Sequence, residues 1–438
     1  MKNYDIVIIG FGKAGKTLAK TAASQGTTVA MIEQSPKMYG GTCINIGCIP
    51  SKTLIHASET LDFNAAMVRK TAVVEALNNK NYHNLADEKN IDVYDAKGQF
   101  QTEHEIALIH ENDEVTTIRG EIIVINTGAT PVIPSIQGVD TSHFIYDSTG
   151  IMALSTQPKR LVIIGGGYIA LEFASLFASF GTEVTVLERH DKVLAKEDEV
   201  IAEQVIHDLE EKGVQIVTNA DTQSIKDQDN EAIVETSEGT FHTDAILLAA
   251  GRTPNTDLAL ENVGIALGDK GEIPVNEHLQ TTVPHIYAVG DVKGGAQFTY
   301  VSLDDFRIVR DHLFGDGKRT THNRGEIPYT VFIDPPLSRI GLTAIEAKEQ
   351  GYEIKEGVLP VNQIPRHKIN ADARGLFKVV VDAKSHLILG ASLYGAHSEE
   401  MINFIHLAMK QQTTYDVVRD MIYTHPTMME SFNDLFNI

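Results

Sequence analysis

Residues 5–33 read DIVIIGFGKAGKTLAKTAASQGTTVAMIE, and residues 160–188 read RLVIIGGGYIALEFASLFASFGTEVTVLE. Each stretch contains an apolar run, a glycine-rich turn, a helical pattern, a glycine stop and a second apolar run that ends in glutamate. That order is typical of a βαβ unit with two parallel strands. Because internal repeats are strong evidence about architecture, we predict two similar nucleotide-binding halves.

The first copy carries the glycine fingerprint of a dinucleotide site. Gly10, Gly12 and Gly15 follow a predicted strand and open a helix, and Glu33 follows at the end of the second strand. A glycine at position 12 lets the backbone approach a pyrophosphate, the helix N-terminus supplies partial positive charge, and Glu33 can accept hydrogen bonds from ribose hydroxyls. Since strand, helix and acidic residue stand in order, we interpret this segment as a dinucleotide site rather than a structural turn.

The second copy keeps the same pattern. Gly165 and Gly167 match the first two glycines, Ala170 replaces the third, which the fingerprint allows, and Glu188 ends the second strand. Two such sites in one chain indicate two dinucleotides. FAD with NAD(P)H is the economical pair, because a flavin accepts a hydride and passes electrons to thiols.

A weaker repeat and a change of pattern suggest how the chain is divided. Residues 122–131, IIVINTGATP, resemble residues 245–254, AILLAAGRTP, so each half closes with a buried strand and a glycine turn. Residues 327–438 mix alternating strand-like runs with helical ones. That mixture is typical of an α+β domain.

Composition and charge exclude several classes of protein. The 438 residues are 42% hydrophobic and 22% charged, which is ordinary for a soluble globular protein. The 59 acidic residues against 37 basic ones give a net charge of −22, which disfavours nucleic acid and anionic membranes as partners. No apolar run approaches the ~20 residues of a membrane span, and the N-terminal apolar stretch is too short for a signal peptide. We predict a cytoplasmic protein.

The chain has two cysteines, Cys43 and Cys48, within GGTCINIGCIPSK at residues 40–52. Two thiols in one short stretch indicate redox or metal chemistry. An ideal helix would hold them farther apart than the ~7 Å between Cα atoms that a disulfide allows, but Asn45 and Gly47 permit distortion. Because no further cysteine completes a thiolate-rich zinc site, we expect a redox disulfide and no metal site; two inert buried cysteines are the alternative.

In combination, these motifs resemble the class I pyridine nucleotide–disulfide oxidoreductases, among them glutathione reductase, lipoamide dehydrogenase and mercuric reductase. The resemblance covers essentially the whole chain. It implies a homodimer of α/β fold with two Rossmann-like dinucleotide-binding domains and a C-terminal α+β dimerisation domain. The FAD-binding domain would comprise residues 1–149 and 270–326, the NAD(P)-binding domain 150–269 and the interface domain 327–438. The resemblance rests on GGTCINIGC with Pro50 and Lys52, the two glycine fingerprints, YAVGD at 287–291 and HPT at 425–427.

The resemblance also implies roles for individual residues. Cys43 looks like the thiol that meets the substrate, and Cys48 looks like the thiol beside the flavin. His425 with Glu430 resembles an acid–base dyad that reaches across the dimer to the partner's Cys43, so the active site would be shared between subunits.

On the flavin side, Lys52 and Glu172 resemble the ion pair near the flavin N5. Tyr168 resembles the lid that moves for the nicotinamide, and Asp291 resembles the residue that binds the ribitol. The candidate cofactor-binding residues are Gly10, Gly12, Gly15, Glu33, Thr42, Lys52, Thr127, Gly128, Asp291, Gly165, Gly167, Tyr168, Ile169, Glu188, Arg189 and Gly251.

Details of the sequence favour one branch of the family. Residues 297–301, QFTYV, and 364–366, IPR, resemble mercuric reductases, but the chain shows neither an N-terminal metal-binding module nor a C-terminal cysteine pair to hand Hg(II) inward. With QFTYVSLDDFRIVRD and PPLSRIG, the pattern is most similar to the flavoproteins of reactive chlorine resistance, described as hypothiocyanous acid reductases. We therefore expect reduction of hypothiocyanous acid in oxidative stress defence, with Phe298 and Tyr300 as candidate pocket residues.

Three other functions stay open. One is the reduction of metal ions such as Cu(II) or Hg(II), and another is the reduction of a low-molecular-weight disulfide or lipoamide dehydrogenase activity. The third is a flavoprotein redox sensor that turns over poorly. For the coenzyme, Glu188 can bind the ribose 2′-hydroxyl of NADH and would repel a 2′-phosphate, whereas Arg189 could contact that phosphate. We expect NADH with some use of NADPH.

Overall fold

A computed structural model describes all residues 1–438, which form three units, each centred on a β-sheet. In the first unit, the apolar run Ile6–Ile9 is fully buried and pairs in parallel with strands on both sides. Parallel strands covered on both faces read as continuous hydrophobic runs, as here. In spatial order, the strands are Ile91–Asp95, Val29–Glu33, Lys2–Ile9, Val115–Ile125, Glu105–Ile109 and Lys97–Phe100, with Ile286–Ala288 also paired to Val115–Ile125.

Helices cover the first sheet and bring the cysteines to its edge. Helix Lys13–Ser24 follows the first glycine turn, buries an alanine- and leucine-rich face, and packs against helix Thr299–Phe314. The Asp62 side chain caps helix Phe63–Ala86 by accepting a hydrogen bond from Ala65 N at 2.8 Å. The remaining helices of this unit are Thr42–Asn45 and Cys48–Ser58, with 3₁₀ turns at Pro36–Met38, Leu260–Val263, Gly290–Lys293 and Thr321–Asn323.

The second unit repeats the parallel arrangement. Its five strands all pair in parallel, and helix Tyr168–Ser179 follows the second glycine turn. In spatial order, the strands are Val214–Val217, Glu183–Leu187, Arg160–Ile164, Ala245–Leu248 and Ile145–Tyr146. The unit also has helices Ser148–Ile151 and Glu199–Glu211, and an antiparallel sheet of Thr222–Gln228, Glu231–Thr236 and Gly239–Thr243.

The chain passes from the first unit to the second and back again. Strand Ile145–Tyr146 already belongs to the second sheet. After strand Arg252–Pro254 pairs with Ala129–Pro131, the chain returns to the first unit, where Leu258 O accepts from Phe100 N at 2.8 Å. The boundaries at 149/150 and 269/270 stay a prediction.

The third unit is an antiparallel sheet with helices packed against it. Thr343 and Glu346 form a capping box at the start of one of these helices. In spatial order, the strands are Tyr329–Val331, Leu337–Gly341, Ile388–Tyr394, Leu376–Asp382 and Ile354–Pro360. The helices are Ala344–Glu349, Arg366–Asn370, Ser398–Lys410, Tyr415–Asp420 and Phe432–Leu435, with 3₁₀ turns at Val361–Gln363 and Met429–Ser431.

The predicted fold class, two Rossmann-like units with a C-terminal α+β unit, is confirmed. No helix in the protein combines the length and apolar character that crossing a bilayer requires.

Candidate active site

A large cleft lies where the three units meet, and most of the predicted site residues line it. Its volume is about 1570 Å³, larger than the ~300–1,000 Å³ of typical small-molecule sites. Room of this size suits a dinucleotide together with a substrate. The predicted residues in its lining are Gly10, Gly12, Glu33, Thr42, Cys43, Cys48, Lys52, Thr127, Gly128, Tyr168, Ile169, Glu172, Asp291, Phe298 and Tyr300. Outside the lining are Gly15, Gly165, Gly167, Glu188, Arg189, Gly251, His425 and Glu430.

The first glycine turn has room for nothing but glycine. Gly10 has φ +100°, and a Cβ atom there would lie 2.4 Å from Asn126 O. A Cβ atom at Gly12 would lie 2.5 Å from Asn126 Oδ1. The Glu33 carboxylate accepts from Phe11 N at 3.1 Å and Ser35 N at 3.2 Å, and burial raises its pKa to about 7. This bare turn at a helix N-terminus, with a buried acid beside it, fits the pyrophosphate and ribose of FAD.

Asn126 is a site residue that sequence reasoning missed. Its side chain is 5% exposed; Oδ1 accepts from Gly15 N at 2.8 Å, and Nδ2 donates to Val289 O at 2.9 Å. It therefore joins the glycine turn to the strand exit that leads to Asp291. The weaker repeat aligns Asn126 with Ala249. The polar residue in the first copy, where the second copy has alanine, was the feature of the sequence that could have pointed to Asn126.

The second glycine turn is similar in backbone but more open. Gly165 has φ +115°, and a Cβ atom there would lie 2.6 Å from Ala249 O. A Cβ atom at Gly167 would have no atom within 4 Å. Glu188 accepts from Gly166 N at 2.7 Å and from His190 N at 2.8 Å. The turn thus leaves space beside position 167 where a coenzyme can bind.

The two thiols lie in consecutive helices at the cleft. Cys43 is in helix Thr42–Asn45, and Cys48 is the first residue of helix Cys48–Ser58, a position that favours a thiolate. The hydrogen bond from Cys43, the charge of Lys52 and the Thr299 hydroxyl, 3.7 Å from Cys48 Sγ, lower the pKa of Cys48 to about 6. The same thiol–thiol hydrogen bond and burial raise the pKa of Cys43. In this arrangement Cys43 donates the thiol–thiol hydrogen bond and Cys48 accepts it.

A partly buried ion pair joins the thiol helix to the other units. Lys52 Nζ lies 2.5 Å from Glu172 Oε2. The second oxygen of Glu172 accepts from Phe332 N at 2.8 Å, and Lys52 Nζ lies 4.9 Å from the centre of the Phe332 ring. One pair thus connects helix Cys48–Ser58 with residues of the second and third units.

Four aromatic rings form a row along the cleft. The Tyr168 and Tyr329 rings stack with centres 5.5 Å apart, Phe298 lies 6.2 Å from Tyr329, and Tyr300 lies 5.1 Å from Phe298. The hydroxyls of Tyr168 and Tyr329 both donate to Glu197 Oε1 at 2.6 Å. Glu197 therefore holds the predicted lid residue and its neighbour at the cleft wall, a role the sequence did not reveal.

The predicted acid–base dyad lies outside the lining of the cleft that contains the two thiols. His425 Nδ1 lies 2.8 Å from Glu430 Oε2, and Glu430 Oε1 accepts from Thr427 N at 3.0 Å. The His425 side chain is 71% exposed. Within a single chain, His425 and Cys43 do not line the same cleft.

A group of potential metal ligands lies outside the cleft, at His207, Asp208 and Glu211, with ligand atoms within 4.8 Å of one another. Asp208 is already engaged, because it accepts from the Tyr394 hydroxyl at 2.9 Å and from Gln204 Nε2 at 2.9 Å. We assign no metal to this group.

Comparisons with known proteins agree with this geometry. Residues 4–305 match the model of the pyridine nucleotide-disulphide oxidoreductases, and residues 327–436 match the dimerisation domain of the same family. The chain is 50% identical to the probable pyridine nucleotide-disulfide oxidoreductase RclA of Escherichia coli, over the full length of both. It is 33% identical to a mercuric reductase of Staphylococcus aureus, covering 98% of this chain and 81% of that protein. It is 32% identical to a dihydrolipoyl dehydrogenase of Chlamydia pneumoniae, covering 98% and 95%.

Among solved structures, the Cu(II) complex of the HOCl-induced flavoprotein disulfide reductase RclA of Escherichia coli superposes with a TM-score of 0.98. The two share 50% identity over 100% of this chain and 99% of that one. With both glycine turns, the thiol pair and the dimerisation unit in place, the chain belongs to the pyridine nucleotide-disulphide oxidoreductases, enzymes that use FAD and NAD(P)H.

Proposed function

We propose that the protein is an NAD(P)H-dependent flavoenzyme that uses the Cys43–Cys48 pair to reduce hypothiocyanous acid in oxidative stress defence. The observation that carries the proposal is the thiol pair at a helix N-terminus, in a cleft that also contains the first glycine turn and the aromatic row. The 50% identical relative is described as HOCl-induced, which supports a role in defence against reactive chlorine and related oxidants.

The residues present fit FAD in the first unit. Gly10, Gly12 and Glu33 would hold its pyrophosphate and ribose, and Asp291 its ribitol. FAD bound there would supply the two-electron chemistry that connects the pyridine nucleotide with the disulfide. The Lys52–Glu172 pair places a positive charge beside the thiol helix and favours the Cys48 thiolate.

The chemistry on the oxidant requires only the two thiols and protons. The Cys43 thiolate attacks the sulfur of hypothiocyanous acid, and the departing oxygen takes up a proton to leave as water. The Cys48 thiolate then attacks the Cys43 sulfur, which closes the disulfide and releases thiocyanate. One oxidant molecule and two thiols thus give one disulfide, thiocyanate, water and one proton.

The dimerisation unit supports a homodimer. We propose that His425 of the partner subunit supplies protons at Cys43, with Glu430 orienting the imidazole through Nδ1. The exposure of His425 in the single chain is consistent with a residue that acts on another subunit. For the coenzyme, we propose NADH with some use of NADPH, because Glu188 opposes a 2′-phosphate and the exposed Arg189 only partly offsets it.

Reduction of Cu(II) is the second candidate function. The observation that favours it is the Cu(II) complex of the 50% identical relative. Thiolates bind soft and borderline metal ions, so the same thiol pair could reduce or sequester copper.

A steady-state assay with a panel of acceptors tests the proposal. The acceptors are hypothiocyanous acid, oxidised glutathione, lipoamide, Cu(II) and Hg(II), each with NADH and with NADPH. We expect the highest kcat/KM with hypothiocyanous acid and NADH, and no reduction of it by Cys43→Ser, which should still bind FAD. A higher kcat/KM with Cu(II) would favour the second candidate. Wild-type turnover by Cys43→Ser would exclude the dithiol mechanism.

A second test compares substrates whose leaving groups differ in their need for a proton from His425. With hypothiocyanous acid only the departing oxygen needs a proton, because thiocyanate is a very weak base and leaves without one, whereas both thiols that leave from a low-molecular-weight disulfide need one. General acid–base assistance is worth about 10²–10⁴-fold where it is needed. His425→Ala should therefore lose less activity with hypothiocyanous acid than with any disulfide the enzyme accepts, and equal losses would contradict this account of His425.

A further inference from the structure

A lysine lies behind the loop that carries Cys43, and none of the roles above includes it. Lys16 belongs to helix Lys13–Ser24 and is partly buried. Its Nζ donates to Asn81 Oδ1 at 2.6 Å and approaches Gly40 O at 3.3 Å. Both partners are uncharged oxygens, so the ammonium is held without a carboxylate in contact. A partly buried charge with only neutral partners is unfavourable. We therefore looked for an anionic group that the Lys16 ammonium could stabilise.

The charged side chains close to Lys16 on the two helices offer it no free carboxylate. On its own helix, Lys13 adds a second positive charge, and Lys20 is already paired with Glu88 at 3.2 Å. On helix Phe63–Ala86, which supplies Asn81, His83 is paired with Asp87 at 3.2 Å.

The loop that Lys16 contacts through Gly40 O carries Cys43, whose thiolate is a group of opposite charge. Burial, followed by the charge of Lys13, lowers the pKa of Lys16 to about 8, and Cys43 opposes that change. In return, the charge of Lys16 works against the hydrogen bond from Cys48 and the burial that raise the pKa of Cys43.

The same helix that holds Lys16 also fixes the redox loop. Asn78 lies three residues before Asn81, on the same face of the helix. Asn78 Nδ2 donates to Asn45 Oδ1 at 2.9 Å, and Asn45 Nδ2 donates to Gly41 O at 2.9 Å. The segment Gly40–Asn45 is therefore attached to helix Phe63–Ala86 on both sides of Cys43. These attachments fix the position of the Cys43 thiol relative to the Lys16 ammonium.

We propose that Lys16 is a positioning residue for the reaction, whose ammonium stabilises the Cys43 thiolate from behind the loop and so prepares that thiol to attack the oxidant. Lys16 does not line the cleft, so it acts on the thiol and not on the substrate. The identity of the oxidant rests on the proposed function, but the effect of Lys16 on Cys43 does not.

The test measures the ionisation of Cys43 directly. In FAD-loaded Cys48→Ser protein, Cys43 is the one remaining thiol, and its rate of alkylation is followed against pH by intact mass. Iodoacetamide is the reagent, because it is neutral and is not itself attracted by a lysine. The same profile is recorded after adding Lys16→Met, Lys16→Arg or Lys20→Met.

Lys16→Met should raise the midpoint of the profile by about one pH unit, the lower end of the effect of a nearby opposite charge. Alkylation at neutral pH should then be about tenfold slower, since each pH unit is a tenfold change in the thiolate fraction. Lys16→Arg should restore most of the rate because it keeps the charge. Lys20→Met, which removes a lysine already paired with Glu88 on the same helix, should leave the profile unchanged.

The proposal is overturned if the Lys16→Met midpoint equals that of the parent while flavin content and melting temperature are also equal. If Lys16→Met fails to retain FAD, Lys16→Gln is judged by the same criterion. An equal slowing by Lys20→Met would also overturn it, because the effect would then be general electrostatics. Failure of the proposed function would look different: wild-type protein would not turn over hypothiocyanous acid, although the alkylation profiles still separated.

Discussion

The two glycine turns have nearly the same backbone and differ in what stands behind them. Gly10 and Gly165 both have positive φ, +100° and +115°, and both leave no room for a Cβ atom against the neighbouring strand. Behind the first turn, however, the Asn126 amide fills the space beside Gly12. Behind the second turn stands Ala249, and the space beside the matching glycine is open.

This difference suits two dinucleotides with different residence times. The Asn126 amide ties the first helix to its strand, and Gly15 provides the room that this tie requires. The second helix has the buried Ala170 at that place and no equivalent tie. A rigid, fully satisfied site favours a group that stays bound, and an open one favours a coenzyme that must exchange in each turnover.

The segments that follow the second strand of each unit diverge further. After Glu33 the chain carries Cys43 and Cys48 into the cleft, whereas after Glu188 it carries Glu197 to the Tyr168 hydroxyl. One scaffold is thus used twice, and in the proposed mechanism the loops assign the electron-transfer chemistry to one half and the coenzyme lid to the other.

Among the changes that test the difference between the two halves, removal of the Asn126 amide should have the largest effect on FAD content and stability. Asn126→Leu leaves Gly15 N–H and Val289 C=O without their partners, and each unsatisfied buried group costs about 1–3 kcal/mol. We expect purified Asn126→Leu to have lost most of its FAD, measured by flavin absorbance per chain, and to melt earlier. Full flavin content would show that the hydrogen bonds of Asn126 are not what makes the first glycine turn retain its dinucleotide.

The matched pair Gly12→Ala and Gly167→Ala gives the next largest effect. A Cβ atom at position 12 would lie 2.5 Å from Asn126 Oδ1, whereas one at position 167 meets nothing within 4 Å. Overpacking costs about 1–3 kcal/mol, so Gly12→Ala should weaken FAD binding by about 10- to 100-fold. Gly167→Ala should keep its FAD and change at most the KM for the coenzyme. Equal loss of FAD in both variants would contradict the difference between the turns.

The buried acid of the first half predicts a pH dependence of the apoprotein. Burial raises the pKa of Glu33 to about 7, so its charged form is disfavoured in the folded state. The stability present below the ordinary carboxyl pKa is therefore lost as the pH rises through about 7. Glu33→Gln mimics the protonated acid, so it should be more stable than wild type by about 1–3 kcal/mol near pH 8 and similar near pH 4.

Melting temperatures of the apoproteins at the two pH values measure this effect. Glu114→Gln, on an exposed turn, is the control and should change stability by at most about 0.5 kcal/mol at either pH. A gain for Glu33→Gln of the same size at both pH values would point to packing rather than to charge.

The repeat, the fold class and the redox pair were all predictable because each has a local signature in the sequence. Gly10, Glu33 and Cys43 occur in short motifs whose spacing carries the chemistry. Asn126, Glu197 and Lys16 have no such motif: Asn126 acts across more than 100 residues on Gly15, and Lys16 acts on a loop that follows the next strand. Such pairs depend on how strands and helices pack, and a single sequence does not show that packing.

The smallest effect concerns the choice of coenzyme in the second half. Both oxygens of Glu188 accept backbone hydrogen bonds, from Gly166 N and His190 N, which hold the carboxylate in place, whereas Arg189 is exposed and contacts only the His190 ring, at 3.2 Å. The fixed negative charge should therefore outweigh the mobile positive one, and wild type should prefer NADH. Exposed charges contribute about 0.2–1 kcal/mol, so Arg189→Ala should lower kcat/KM for NADPH by no more than about fivefold.

Glu188→Gln should shift the ratio of kcat/KM values toward NADPH, because it keeps the shape of the side chain and removes the charge that repels a 2′-phosphate. The same variant should leave FAD content unchanged, since the two glycine turns serve different dinucleotides. The assay is the kcat/KM for each coenzyme at saturating oxidant, for wild type and both variants. A strong preference of wild type for NADPH that Arg189→Ala abolishes would reverse the roles given to the two residues. It would mean that the attraction between Arg189 and the 2′-phosphate outweighs the repulsion from Glu188.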